Sequence, residues 1–102
     1  MSKYSVGANF ERTCKKKLEK ENWYVLRSAG SHSIVDLVCF RGGEVRLLQC
    51  KIDGYLNPNE REQLLELANE NGFCAYLVKR DGKEVVFKEI LQLEKDEALL
   101  AR

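Results

Sequence analysis

The chain has 102 residues, of which 44% are hydrophobic and 32% charged, and its net charge is +1. This length and composition predict one domain over residues 1–102 and exclude a disordered chain. No apolar run is long enough to cross a membrane, and the amino terminus lacks the apolar core of a signal peptide. The expected location is therefore the cytoplasm, or the host cytoplasm if the source is a virus.

Charge is divided unevenly between the two halves of the chain. Residues 1–51 carry ten Lys and Arg against five Asp and Glu, whereas residues 52–102 carry seven against eleven. A basic half beside an acidic half is compatible with a nucleic-acid face and a solvent face. On charge alone, a chance split between two solvated surfaces is at least as good an interpretation.

The first predicted element is a helix over about residues 5–21, which carries an apolar stripe at helical spacing. Glu11 lies at the edge of that stripe, where a helix that served only for packing would rarely place an acid. Position alone nevertheless favours a surface ion pair between Glu11 and Lys15, one turn away. A short strand follows at residues 23–27, and a serine-rich loop comes after it.

Residues 34–52 predict a β-hairpin, because apolar and β-branched runs flank a Gly-Gly turn at residues 42–43. Counting back from that turn places Asp36 opposite Gln49, and strand alternation puts Lys51 on the same face as Gln49. Burying an unpaired carboxylate at the end of an apolar hairpin costs on the order of several kcal/mol. A bound metal ion is the explanation that we favour for Asp36.

The four cysteines are widely spaced and form no CxxC pair, so a zinc site is not expected. The hairpin register leaves Cys39 and Cys50 several residues apart across the strands, which excludes a cross-strand disulfide between them. Buried, reduced thiols are the expectation.

A second helix is predicted from Pro58 to the residue before Gly72, with Asn57 as the N-cap and the glycine as the end signal. Two further strands, residues 73–80 and 84–88, are joined by an Asp-Gly turn. Because a helix connects the third strand to the fourth, that pair is expected to be parallel.

A last amphipathic helix is predicted over residues 90–102, and its apolar residues are candidates for a partner surface. Together the elements predict an α/β fold in which a mixed five-stranded sheet is flanked by helices.

The polar residues at the end of the hairpin, together with Glu11, resemble the PD-(D/E)xK nuclease signature. Within that group the chain is similar to the archaeal-type Holliday junction resolvases, which are also found in viruses. The resemblance lies in the sequences GANFER at residues 7–12, RSAGS at 27–31, VDLV at 35–38 and QCK at 49–51. It implies a restriction-endonuclease-like sheet and a metal-dependent endonuclease that resolves four-way DNA junctions by paired nicks.

The resemblance also implies roles for particular residues. The cation would be Mg²⁺, with Mn²⁺ as a substitute, because phosphodiester hydrolysis uses hard cations that prefer oxygen ligands. Its ligands would be Glu11, Asp36, the Gln49 side-chain oxygen and the backbone carbonyl of Cys50. Lys51 would stabilise charge on the phosphate or position the attacking water. By the same resemblance, Arg12 and Arg27 would bind phosphates, and either Ser31 or Ser33 would contact the DNA backbone. Lys15 and Lys16 are candidate DNA-binding residues from their position on the exposed arc of the first helix, where they could meet phosphates or only water.

Gln49 is the main departure from the family pattern, which usually has Glu at this position, and the expected consequence is weaker metal affinity. Two alternatives stay open at this point. One is a restriction or repair endonuclease that cuts linear duplex, although a chain of this length favours recognition of DNA shape. The other is a non-catalytic DNA-binding relative. A two-fold homodimer is expected, because two symmetry-related nicks resolve a junction and the resolvases act as dimers.

Overall fold

Five strands form one sheet between two helices in the computed structural model, which describes residues 3–29 and 33–91. The described elements are α1 (Lys3–Lys20), β1 (Tyr24–Arg27), β2 (Leu37–Arg41), β3 (Glu44–Cys50), α2 (Pro58–Asn71), β4 (Cys74–Asp81) and β5 (Glu84–Ile90). None of the helices within those ranges is both long and apolar enough to span a membrane.

The strand order in the sheet is the same as the order along the chain, β1-β2-β3-β4-β5. All neighbouring pairs are antiparallel except β3 and β4, which run parallel. Helix α2 makes the crossover between these two strands, because a tight turn cannot join parallel neighbours. The predicted mixed sheet and its parallel pair are confirmed.

The predicted β2–β3 hairpin and its register are also confirmed. Arg41 pairs with Glu44 across the turn. Gly42 and Gly43 both have left-handed backbone angles, with φ of 57° and 85°, which a residue with a Cβ would adopt only at a cost. The last ladder pair joins Leu37 to Leu48, so the next residue on each strand, Asp36 and Gln49, lies at the open end of the hairpin.

Two apolar cores hold the helices against opposite faces of the sheet, since side chains alternate between faces along each strand. Helix α1 packs on one face, and its core contains Phe10, Cys14, Leu18, Trp23, Val25, Leu37, Cys39, Leu48 and Val78. Helix α2 packs on the other, and its core contains Val35, Leu47, Leu64, Ala68, Ala75, Leu77 and Ile90. All four cysteines are free thiols, as predicted, but only Cys14 and Cys39 are buried, whereas Cys50 and Cys74 are half-buried.

Helix α2 begins and ends as its sequence predicts. The Asn57 side chain accepts a hydrogen bond of 2.8 Å from the backbone N–H of Glu60, and Pro58 opens the first turn. Gly72 closes the helix in the left-handed conformation, with φ of 71°, and its N–H donates to the carbonyl of Ala68.

The predicted last helix is wrong at its first residue. Ile90 is the final residue of β5, where it pairs with Ala75 and is 5% exposed in the α2-side core. The pairing with β4 therefore outweighs the helical pattern of the sequence that follows. Residues 92–102, the rest of that prediction, lie outside the described residues.

We predict that Leu64→Ala lowers the free energy of unfolding by about 2–5 kcal/mol, because a fully buried leucine on α2 leaves a cavity when truncated. Urea unfolding followed by circular dichroism measures the loss. Leu67→Ala on the same helix is the matched control, since Leu67 is 37% exposed. Equal losses for the two variants would contradict the placement of α2 on the sheet.

Candidate active site

The predicted site residues meet where β2 begins and β3 ends. The backbone N–H of Asp36 donates to the carbonyl of Leu48 at 2.8 Å, which extends the hairpin by one residue. The Asp36 carboxylate then accepts a hydrogen bond of 2.7 Å through Oδ2 from the backbone N–H of Cys50. Asp36 is thus held against the end of β3 by two hydrogen bonds, and Gln49 and Lys51 flank its partner Cys50 in the sequence.

Asp36 has an unusual environment for a carboxylate. Burial raises its pKa from 3.8 to about 6 and outweighs the hydrogen bond from Cys50 N–H, which lowers it. The charges of Glu11 and Glu60 raise the pKa of Asp36 further, while that of Lys51 lowers it. The environment of Asp36 therefore disfavours its ionised form, and a bound cation would favour that form again.

Gln49 is almost completely buried, with 5% of its surface exposed. Its Nε2 atom donates to Oε2 of Glu60 at 3.2 Å. Its Oε1 atom is buried and has no hydrogen-bond partner among the described residues. An unsatisfied buried acceptor costs about 1–3 kcal/mol, so this oxygen needs a donor or a cation.

Glu60, in the first turn of α2, is also part of the site, although it is not among the site residues predicted from the sequence. Its Oε2 atom lies 3.5 Å from Nζ of Lys51, and the two side chains are 31% and 33% exposed. A crossover helix that follows a parallel strand starts at the carboxyl end of that strand. That rule would have placed the first turn of α2 beside Lys51.

Glu11 pairs with Arg27 and not with Lys15, the partner that helical spacing favoured. Arg27 Nε donates to Glu11 Oε1 at 2.8 Å, and the two side chains are 28% and 21% exposed. The pair joins α1 to the end of β1. Because the Glu11 charge acts on the pKa of Asp36, this pair lies close enough to influence the site.

Comparison with known proteins decides which family this site belongs to. A family model described as archaeal Holliday junction resolvase (Hjc) matches residues 2–101. The chain belongs to this family. The family resemblance inferred from the sequence is confirmed.

Two relatives show how far the likeness extends. A crossover junction endodeoxyribonuclease Hjc of Methanocaldococcus jannaschii is 39% identical over 89 residues, which cover 83% of this chain and 66% of that protein. The chain thus spans just under two thirds of the length of that curated relative. The solved structure of Archaeoglobus fulgidus Hjc, a Holliday junction resolvase from an archaeal hyperthermophile, matches with a TM-score of 0.72 and 26% identity, covering 83% of this chain and 73% of that chain. The predicted fold class is thereby confirmed.

The remaining predicted DNA-binding residues of this resolvase-family chain lie on α1 and in the loop before β2. Arg12 is exposed and donates to the Asn9 side chain at 3.4 Å, and Lys16 is exposed while Lys15 is half-buried. Ser33 is exposed, and its Oγ accepts a bond of 3.0 Å from Val35 N–H. Ser31 lies outside the described residues.

The donors at the hairpin end suit a hard cation. In residues 3–29 and 33–91, no three His, Cys, Asp or Glu side chains stand close enough together to hold a metal ion. The site instead combines the Asp36 carboxylate, which accepts a bond from Cys50 N–H, with the Gln49 oxygen, which has no partner among the described residues, and both groups are oxygen donors. Hard divalent cations prefer such donors, so the residues fit one.

We predict that Asp36→Asn raises the unfolding temperature near neutral pH when a chelator is present. The folded-state pKa of Asp36, about 6, lies above its ordinary value of 3.8, so ionisation destabilises the fold. The stability of the wild type falls as pH rises between these two values, and an amide removes that loss. The gap between variant and wild type should close as the pH is lowered below 3.8.

Thermal unfolding across this pH range measures the effect. Asp53→Asn is the matched control, because Asp53 is exposed and its side chain also accepts a backbone N–H bond, from Tyr55. A destabilised Asp36→Asn variant at neutral pH would contradict the environment described for Asp36.

Proposed function

We propose that this chain is a metal-dependent endonuclease that resolves four-way DNA junctions. The observation that carries the proposal is the meeting of Asp36, Gln49 and Lys51 at one end of the β2–β3 hairpin in a chain of the archaeal Holliday junction resolvase family. The relatives named above are a crossover junction endodeoxyribonuclease and a Holliday junction resolvase, which supports a branched DNA substrate.

The proposed cofactor is Mg²⁺, with Mn²⁺ able to replace it. Asp36, the Gln49 oxygen and the Cys50 carbonyl would hold the cation, with Glu11 as a further ligand once it leaves Arg27. When bound, such a cation polarises the phosphate and lowers the pKa of the attacking water.

The side chains of the site have separate tasks in the proposed hydrolysis. A bond forms between the water oxygen and phosphorus while the bond from phosphorus to the leaving sugar oxygen breaks. Lys51 carries a positive charge at the end of β3, where it can stabilise the negative charge that builds on the phosphate. Arg27 uses Nε for Glu11, and its guanidinium has further N–H donors for a neighbouring phosphate.

We predict that the wild-type chain nicks a four-way junction in Mg²⁺ or Mn²⁺ and leaves linear duplex of the same sequence largely uncut. Asp36→Asn should abolish nicking while junction binding is kept or improved, because it removes a negative charge that repels phosphate. Lys51→Ala should slow nicking on the order of a hundredfold or more. Gel analysis of labelled junctions gives both rates, and mobility shift without metal gives binding.

Lys83→Ala is the matched control for Lys51→Ala, because Lys83 is an exposed lysine in the turn between β4 and β5. Metal-dependent nicking that persists in Asp36→Asn would contradict the site. Equal cutting of linear duplex would favour the restriction or repair alternative. Junction binding without nicking in either metal would favour a non-catalytic relative.

We also infer that the working unit is a two-fold homodimer. Two nicks related by the approximate symmetry of a junction need two identical sites, which a dimer provides. Light scattering at micromolar concentration should give twice the monomer mass. Mixing wild-type protein with Asp36→Asn should produce heterodimers that nick one strand only, whereas a monomeric mass with full activity would contradict the dimer.

A further inference from the structure

Glu60 contacts more of the site than its place at the start of a helix requires. Its backbone N–H bonds to the Asn57 side chain at 2.8 Å, and its Oε1 accepts from Asn57 Nδ2 at 2.6 Å. The first bond is the N-cap of α2, and the second joins the two side chains. The second oxygen, Oε2, reaches across to the sheet, where it lies 3.2 Å from Gln49 Nε2 and 3.5 Å from Lys51 Nζ.

The buried, unpartnered oxygen of Gln49 is a second observation that points to a ligand at this site. Glu60 holds its nitrogen, which fixes the planar amide, and the oxygen on the other branch is buried with no partner among the described residues. This side chain is 5% exposed, so bulk water does not solvate that oxygen freely. A buried acceptor left in this state is stabilised by a cation or by a water bound to one.

We propose that Glu60 supplies the second carboxylate of the cation site, in addition to Asp36, with the Gln49 side-chain oxygen as a further, neutral donor. The inference rests on the proposed metal-dependent nuclease function. It places the second charged ligand on α2, because the site residue on β3, Gln49, carries no charge. Two carboxylates and neutral oxygens form a donor set that suits Mg²⁺ or Mn²⁺.

The salt bridges of the site favour Glu60 over Glu11 for this role. Glu11 is held by Arg27 at 2.8 Å, whereas the closest approach of Glu60 to Lys51 is 3.5 Å. The longer ion pair is the weaker one and is more easily exchanged for a cation. Release of Lys51 from Glu60 would then leave its ammonium group to bind the phosphate under attack.

Mn²⁺ binding to the whole chain without DNA tests this assignment, with the free-ion electron paramagnetic resonance signal as the readout. Glu60→Gln keeps the backbone bond to Asn57 and an oxygen for its Nδ2, so the fold is preserved. We expect Glu60→Gln to weaken Mn²⁺ binding at least roughly tenfold. Loss of a residue that only supports a metal ligand already has an effect of about this size. Glu66→Gln, an exposed position on the same helix, is the matched control and should bind as the wild type does.

The double variant Gln49→Glu/Glu60→Gln moves the carboxylate from α2 to β3. It should recover the Mn²⁺ affinity that Glu60→Gln loses, because the site regains its second negative charge. Undiminished binding by Glu60→Gln overturns the assignment. The assignment is also overturned if Glu60→Gln weakens Mn²⁺ binding, the double variant does not restore it, and both variants unfold at the wild-type temperature. Glu60 would then act through Lys51 or the helix cap and not as a ligand.

Asp36→Asn separates this inference from the proposed function. If Asp36→Asn weakens Mn²⁺ binding and Glu60→Gln does not, the cation site stands and only the role of Glu60 fails. If neither variant weakens binding, the cation does not bind at the hairpin end, and the metal site of the proposed function fails with it.

Discussion

The hydrogen bond from Cys50 N–H to the Asp36 carboxylate is the contact on which the arrangement of the site depends. It lies just beyond the last β2–β3 ladder pair and satisfies one carboxylate oxygen, which partly offsets the cost of burying the group. Because the donor is the backbone of β3, this bond fixes the Asp36 carboxylate relative to Gln49 and Lys51 without contact to either of their side chains. A slip of one residue in the hairpin would remove this bond and move Asp36 away from Gln49 and Lys51.

The site is strained electrostatically, and the rest of the fold compensates. Burial holds the pKa of Asp36 well above its usual value, and the Gln49 oxygen is buried without a partner among the described residues. Both conditions oppose folding. They are tolerated because an apolar core lies on each face of the sheet directly behind β3, with Leu48 on one side and Leu47 on the other. The end of β3 therefore cannot relax toward solvent without breaking two cores.

Local sequence rules predicted the parts of the site that lie within one hairpin or one helix end. The Gly-Gly turn set the β2–β3 register, which brought Asp36 opposite Gln49 before any tertiary contact was considered. The same rules failed where the partner came from another element. Helical spacing predicted Lys15 as the partner of Glu11, but in the structure Glu11 pairs with Arg27 on another element. Glu60 lies close to Lys51 because the crossover helix α2 starts near the carboxyl end of β3.

In the proposed function, charge pairing would allow one site to attract a cation and still admit DNA. Glu11 is paired with Arg27 and Glu60 with Lys51, so ionised Asp36 supplies the net negative charge among these five side chains. A site with three unpaired carboxylates would repel an approaching phosphate more strongly. In the proposed mechanism, Glu11 and Glu60 would stay paired until a cation competes for them, and their release would free Arg27 and Lys51 to bind a phosphate. The neutral amide of Gln49 fits this balance, because a carboxylate at position 49 would be the fourth in the site and would have no positively charged partner among the pairs described.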